Sequence, residues 1–135
     1  MRTGVAYFRS LAGFYVVFGL ITTFYPRLMG LFMTDEGIDA TSRFPNQVWL
    51  HGGLDILSVA LLLFVLSLLP IRALTLRAAA IVALMPTAAI LYTYLATPFW
   101  SILFLVPGAA ALAFAVCGFI LAGSVDEEAS TPAVD

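Results

Sequence analysis

Polar residues in this chain are gathered into short intervals, and apolar stretches of about twenty residues run between them. The first stretch extends from Val5 to Tyr25, the second from Gln47 to Leu69, the third from Ala73 to Leu95 and the fourth from Phe99 to Ala122. Each has about the 20 residues that a helix rising 1.5 Å per residue needs to cross roughly 30 Å of hydrocarbon. No charged residue occurs from Ala78 to Val125, a run too long for one crossing, and Thr97-Pro98 divides it. Strands are excluded by the pattern. Inside lipid every backbone group must be paired within a helix or a closed barrel, and barrel strands alternate in polarity. The segment ALLLFVLSLL, from Ala60 to Leu69, does not alternate. The expected fold is therefore an all-α integral membrane protein, a four-transmembrane-helix bundle running up-down-up-down over residues 1–123. An acidic, small-residue tail over 124–135 is expected to be disordered, because it has too little apolar area to offset its chain entropy.

The connections refine this picture. Pro70-Ile71-Arg72 and Thr97-Pro98 are tight links that make neighbouring helices antiparallel. Residues 26–46 form a longer loop whose first part, with Leu28, Met29, Leu31, Phe32 and Met33, suits a short amphipathic turn on the membrane surface. Its second part is polar, and serves either as a solvated connector or as a lid over the outer end of the bundle. Arg2, Arg9, Arg72 and Arg77 fall on one side and Arg27 and Arg43 on the other. The excess of arginine places both termini in the cytoplasm of a plasma (inner) membrane protein, with the 26–46 loop outside. Tyr25, Trp49, Tyr92, Tyr94 and Trp100 cluster at the opposite face, as an interfacial belt does. Arg9 interrupts the first apolar run, and a bulky FYPRLM segment follows it, so this run reads as a retained helix and not a cleaved signal.

Composition supports the same class. Of 135 residues, 62% are hydrophobic and 10% charged. A soluble domain is nearer half apolar and a quarter charged, and one this small would have to expose much of the excess. The net charge of −2 argues against a nucleic-acid partner, which would need a basic patch. The single cysteine, Cys117, excludes an internal disulfide and the paired-cysteine zinc and redox patterns. It reads as a small buried packing residue.

Lipid tails are as apolar as leucine, so helices associate in a bilayer by close packing. Ala111, Ala115, Gly118 and Ala122 place four small residues on one face of the last helix, and Ala79 and Ala83 do the same on the third. Gly13 and Gly19 do not share a face. Pro86 is expected to kink the third helix and free a carbonyl near its middle.

Ionisable groups within spans are costly and face the bundle interior or water. Gln47, His51, Asp55 and Ser58 lie at spacings of 4, 4 and 3 on one helical stripe. Asp55 sits about eight residues, roughly 12 Å, from the outer end. Such a carboxyl either carries a proton or has a partner. His51, one turn away, is the nearest candidate, and Arg43 can also fold back. Gly52-Gly53 would let a helix or ligand approach closely. The stripe is read either as a structural polar clamp or as a proton-transfer site with Asp55 and His51 as catalytic residues. In the second case Arg9, Tyr15, Gln47, Ser58 and Tyr94 would contact substrate. Arg9 and Arg77 also suit snorkelling to headgroups. One histidine does not supply the usual two axial ligands of a membrane haem, and one His with one Asp is too few for a metal. No cofactor is expected; quinone or haem lacks positive support.

The run R-x-x-A-G-F-Y-x-x-x-G-L from Arg9 to Leu20, the pair Pro26-Arg27 and the run H-G-G-L-D-I-L from His51 together resemble the DoxX-like group and related small four-helix membrane families of unknown function. The resemblance implies the four-helix architecture, and some members of that group have been linked to quinone-dependent oxidation as accessory subunits. It assigns no catalytic residue here. Three functions compete. One is an accessory or structural subunit that binds a protein partner or a second copy of itself. Another is a membrane enzyme doing acid–base chemistry on a hydrophobic small molecule such as a quinone or isoprenoid. The last is a proton-coupled transporter acting as an oligomer.

Overall fold

The computed structural model describes residues 2–24, 30–35 and 46–130, with the backbone alone for 46–49 and 128–130. Over these residues the chain is helical: α1 (Arg2–Phe24), α2 (Asn46–Leu66), α3 (Ala73–Ala96) and α4 (Leu105–Ser130), with a 3-10 turn at Ile102–Phe104 leading into α4. Three stretches, Arg2–Phe24, Ala73–Ala96 and Ile102–Glu127, are long and apolar enough to cross a membrane. The apolar part described in α2, Leu50–Leu66, is shorter. Large apolar side chains cover the outside: Leu74 is 75% and Leu95 74% exposed, and Leu61, Ile102 and Ile120 are also exposed. A water-soluble monomer does not leave apolar surface on this scale uncovered; this is a membrane protein.

Among the described residues, the helices form two antiparallel pairs. α1 packs along α2, with Gly19 against Leu57 and Gly53 against Thr23, and Gly4 lies against Ile71 in the link that follows α2. A Cβ at Gly53 would sit 2.8 Å from the Thr23 backbone nitrogen, so this approach requires glycine. α3 packs along α4, where Ala80 meets Gly118 and the Thr87 hydroxyl reaches the Gly108 carbonyl at 3.1 Å. The expected small-residue face is used. Ala111, Ala115, Gly118 and Ala122 of α4 and Ala79 and Ala83 of α3 are all buried.

α1 joins the two pairs. Tyr7, Phe8, Leu11, Ala12 and Tyr15 form one core with residues of all three other helices, among them Leu63, Leu76 and Ala115. Phe14 and Phe114 add a ring contact at 5.7 Å between α1 and α4. The Tyr15 hydroxyl donates to the Val82 carbonyl at 3.2 Å. Val82 lies four residues before Pro86, so its carbonyl is the one that proline leaves without an intrahelical N–H. The carbonyl that Pro86 was expected to free is thus engaged from α1.

At the end where α2 and α4 begin, the described part of the first loop, residues 30–35, meets the segment before α4. Residues 30–32 form a 3-10 turn, and the chain then pairs with the segment before α4. Thr34 N–H donates to the Phe99 carbonyl at 2.9 Å, Ser101 N–H donates to the Phe32 carbonyl at 2.8 Å, and Met33 and Trp100 face each other across this bridge. This corrects the fourth span. Its helix starts at Leu105 and not at Phe99, because the backbone of Phe99 to Ser101 is engaged with the loop. The second span is shorter too. α2 ends at Leu66, and Ser67, Leu68 and Leu69 turn back on carbonyls three residues earlier.

Two further expectations are revised. The tail expected to be disordered from residue 124 is helical to Ser130, while 131–135 lie outside the described residues. Arg77 pairs with Asp126 and anchors this extension to α3. Cys117 is exposed on the outside of α4 and not buried, since Gly118 and Ala115 take the inward positions.

Loss of the Tyr15 hydroxyl, Tyr15→Phe, should destabilise the fold by about 0.5–1.5 kcal/mol. In a Pro86→Ala background the cost should shrink, because the substituted alanine supplies the N–H that the Val82 carbonyl lacks. Unfolding of the four variants in detergent, set out as a double-mutant cycle, measures the difference. Separately, Gly53→Ala should destabilise by about 1–3 kcal/mol through collision with Thr23. Gly52→Ala, where a Cβ meets nothing within 4 Å, should be neutral or stabilising; equal effects at the two positions would contradict the packing described.

Candidate functional site

α2 turns two different faces to its surroundings. Gly53, Ala60 and Leu63 are buried toward the bundle. At 100° per residue, Asp55 points about 160° away from Gly53, and His51, Asp55 and Ser58 are all exposed. The sequence-predicted stripe therefore exists as one face, and it lies on the outside of the four-helix unit. The Gln47 side chain falls outside the described residues, as do Arg27 and Arg43.

The groups on this face have few partners. Ser58 Oγ donates to the carbonyl of Leu54, one turn back in its own helix, at 2.9 Å. Neither His51 nor Asp55 has a hydrogen bond or ion pair to a described residue, nor do they pair with each other. Asp55 is the only acidic residue between Asn46 and Val125. The described arginines, Arg2, Arg9, Arg72 and Arg77, all belong to the other end of the molecule, where α1 and α3 begin.

The remaining candidates are dispersed. Arg9 is exposed on α1. The α1–α2 register, with Gly4 opposite Ile71 and Gly19 opposite Leu57, puts Arg9 level with residues near Leu66. It is thus roughly 15 Å along the axis from Asp55. Tyr15 is buried and turned toward α3, its hydroxyl engaged by Val82. Tyr94 is half-buried near the C-terminal end of α3. The structure brings together His51, Asp55 and Ser58, and does not bring Arg9 or Tyr15 to them. Among the described residues, no group of three or more His, Cys, Asp or Glu is arranged to hold a metal ion.

Some polar side chains that matter were not singled out by the sequence. The Tyr7 hydroxyl is buried against Gly118, and the Thr23 hydroxyl against Gly53; neither finds a hydrogen-bond partner among the described residues. Each polar atom faces a glycine, so the cost of burial accompanies close helix approach. The signal was the glycines themselves, which mark where a neighbour comes near without saying which neighbour.

An outward-facing Asp55 is not needed by the single chain. Asp55→Leu should leave the unfolding midpoint of the detergent-solubilised monomer at or above that of the wild type; a large drop would mean that the carboxyl is held inside the bundle.

No family model matches this chain, and no curated protein or solved structure was found to be similar to it.

Proposed function

We propose that this chain is a four-crossing subunit of a membrane assembly, built to associate with protein through the outward face of α2. The observation that supports this most is the position of Asp55, a carboxyl with no partner among the described residues, on the outside of an apolar helix and beside a His51 in the same condition. Lipid offers no hydrogen bonds at that depth, and an ionisable group there is stable when protein or water covers it. The bundle's own interior does not cover it. A protein surface with complementary polar groups would.

In this reading α2 crosses the bilayer with the other three helices, both termini face the cytoplasm, and the assembly lies in the plasma membrane. The arginine distribution supports the orientation, with the described arginines at the end where α1 and α3 begin. The resemblance to DoxX-like proteins fits an accessory role. An enzyme or transporter would instead gather its acid–base pair with the inward groups, and Tyr15 is engaged by Val82.

Extraction of the tagged chain from its native membrane into nanodiscs, followed by native mass spectrometry, tests the proposal. The wild-type chain should travel in a complex heavier than one copy, and Asp55→Leu should release it, while Leu74→Ala on another outward face should not. A single-chain mass for the wild type, or a complex indifferent to Asp55→Leu, would overturn it.

A further inference from the structure

Resting on that reading, we infer that the protein docked on α2 is a second copy of this chain, with both copies inserted in the same direction and α2 packed against α2. The exposed positions His51, Asp55, Ser58, Leu62 and Val65 follow one another at spacings of 4, 3, 4 and 3. Two parallel helices pack along such a seam with each side chain entering a hole formed by four residues of the facing helix. For Asp55 that hole is formed by residues 51, 54, 55 and 58 of the second copy. The carboxyl then meets the imidazole of His51, the partner it lacks in one chain, next to Ser58, whose proton is given to the Leu54 carbonyl. Leu62 and Val65 continue the seam as apolar layers.

Hydrogen-bond complementarity favours a second copy over another surface of this molecule. The partner for Asp55 must lie at the same depth in the bilayer. The outward face of α1 carries Arg9, which is roughly 15 Å away along the axis. The described outward faces of α3 and α4 are mostly apolar, with Ile81, Met85, Leu112, Val116 and Ile120; the exposed Tyr92 of α3 offers a carboxyl one hydroxyl. Among the described residues at that depth, the face of α2 holds His51 and Asp55, a donor and an acceptor one turn apart. A two-fold contact repeats each pairing, so that residue i meets j and j meets i. The two Asp55 carboxyls share one layer, and the two His51 rings, one turn away, offer each of them an N–H.

Disulfide trapping in native membranes decides the matter. In a Cys117→Ala background, Leu62→Cys and Val65→Cys should give a covalent dimer on oxidation, at several times the yield of Val16→Cys on α1, Ile81→Cys on α3 and Ile120→Cys on α4. Adding Asp55→Leu should cut the dimer about three- to tenfold, the scale of polar contacts between membrane helices. Asp55→Asn, whose amide still bonds, should retain it. Equal yields at all five positions, or none at 62 and 65, would overturn the inference. If positions 62 and 65 fail while native mass spectra show an Asp55-dependent complex with a different protein, the second copy is excluded and the subunit proposal stands. A single-chain mass for the wild type removes both.

Discussion

The arrangement of this molecule depends on one requirement, that a backbone carbonyl released inside an apolar bundle must find a donor within the protein. Pro86 removes the N–H that would serve Val82 in the middle of α3, and Tyr15 supplies a hydroxyl from α1. In water a solvent molecule would serve equally well. In hydrocarbon a donor from a neighbouring helix takes that place, and here the bond ties α1 to the middle of α3. It ties the α1–α2 pair to the α3–α4 pair. The core around Phe8, Leu11 and Leu76 closes on that frame.

Close approach does the rest. Gly53 brings its backbone against that of Thr23, and Gly118 leaves the room that the Tyr7 hydroxyl and the Ala80 methyl occupy. The alanines of α3 and α4 extend the contact. Dispersion summed over such surfaces is what holds helices together when lipid competes equally for apolar groups. The hydroxyls of Tyr7 and Thr23, buried with no partner among the described residues, show that packing wins over polar satisfaction at these two crossings.

Because the interior is filled in this way, the polar stripe of α2 has nowhere to go but outward. The same glycine that seats α2 on α1 rotates Asp55 away from it. A residue pattern that reads equally well as an interior clamp or an active site becomes an outward surface, and its chemistry then concerns what lies beside the bundle. The end where α2 and α4 begin is closed separately, by the pairing of Phe32 and Thr34 with the segment before α4.

The sequence alone established the helical class, the approximate extents of the helices, the small-residue faces and the stripe of His51, Asp55 and Ser58. These depend on hydrophobic period and helical spacing, which are local properties of the chain. It did not reveal that Cys117 is exposed, that Phe99 to Ser101 leave the helix to pair with the first loop, or that the helix runs through Asp126 with Arg77 beside it. Nor did it decide which way the stripe points. Periodicity states which residues share a face. The rotation of that face toward core or surroundings is set by partners far away in sequence, and only the packed structure brings them together.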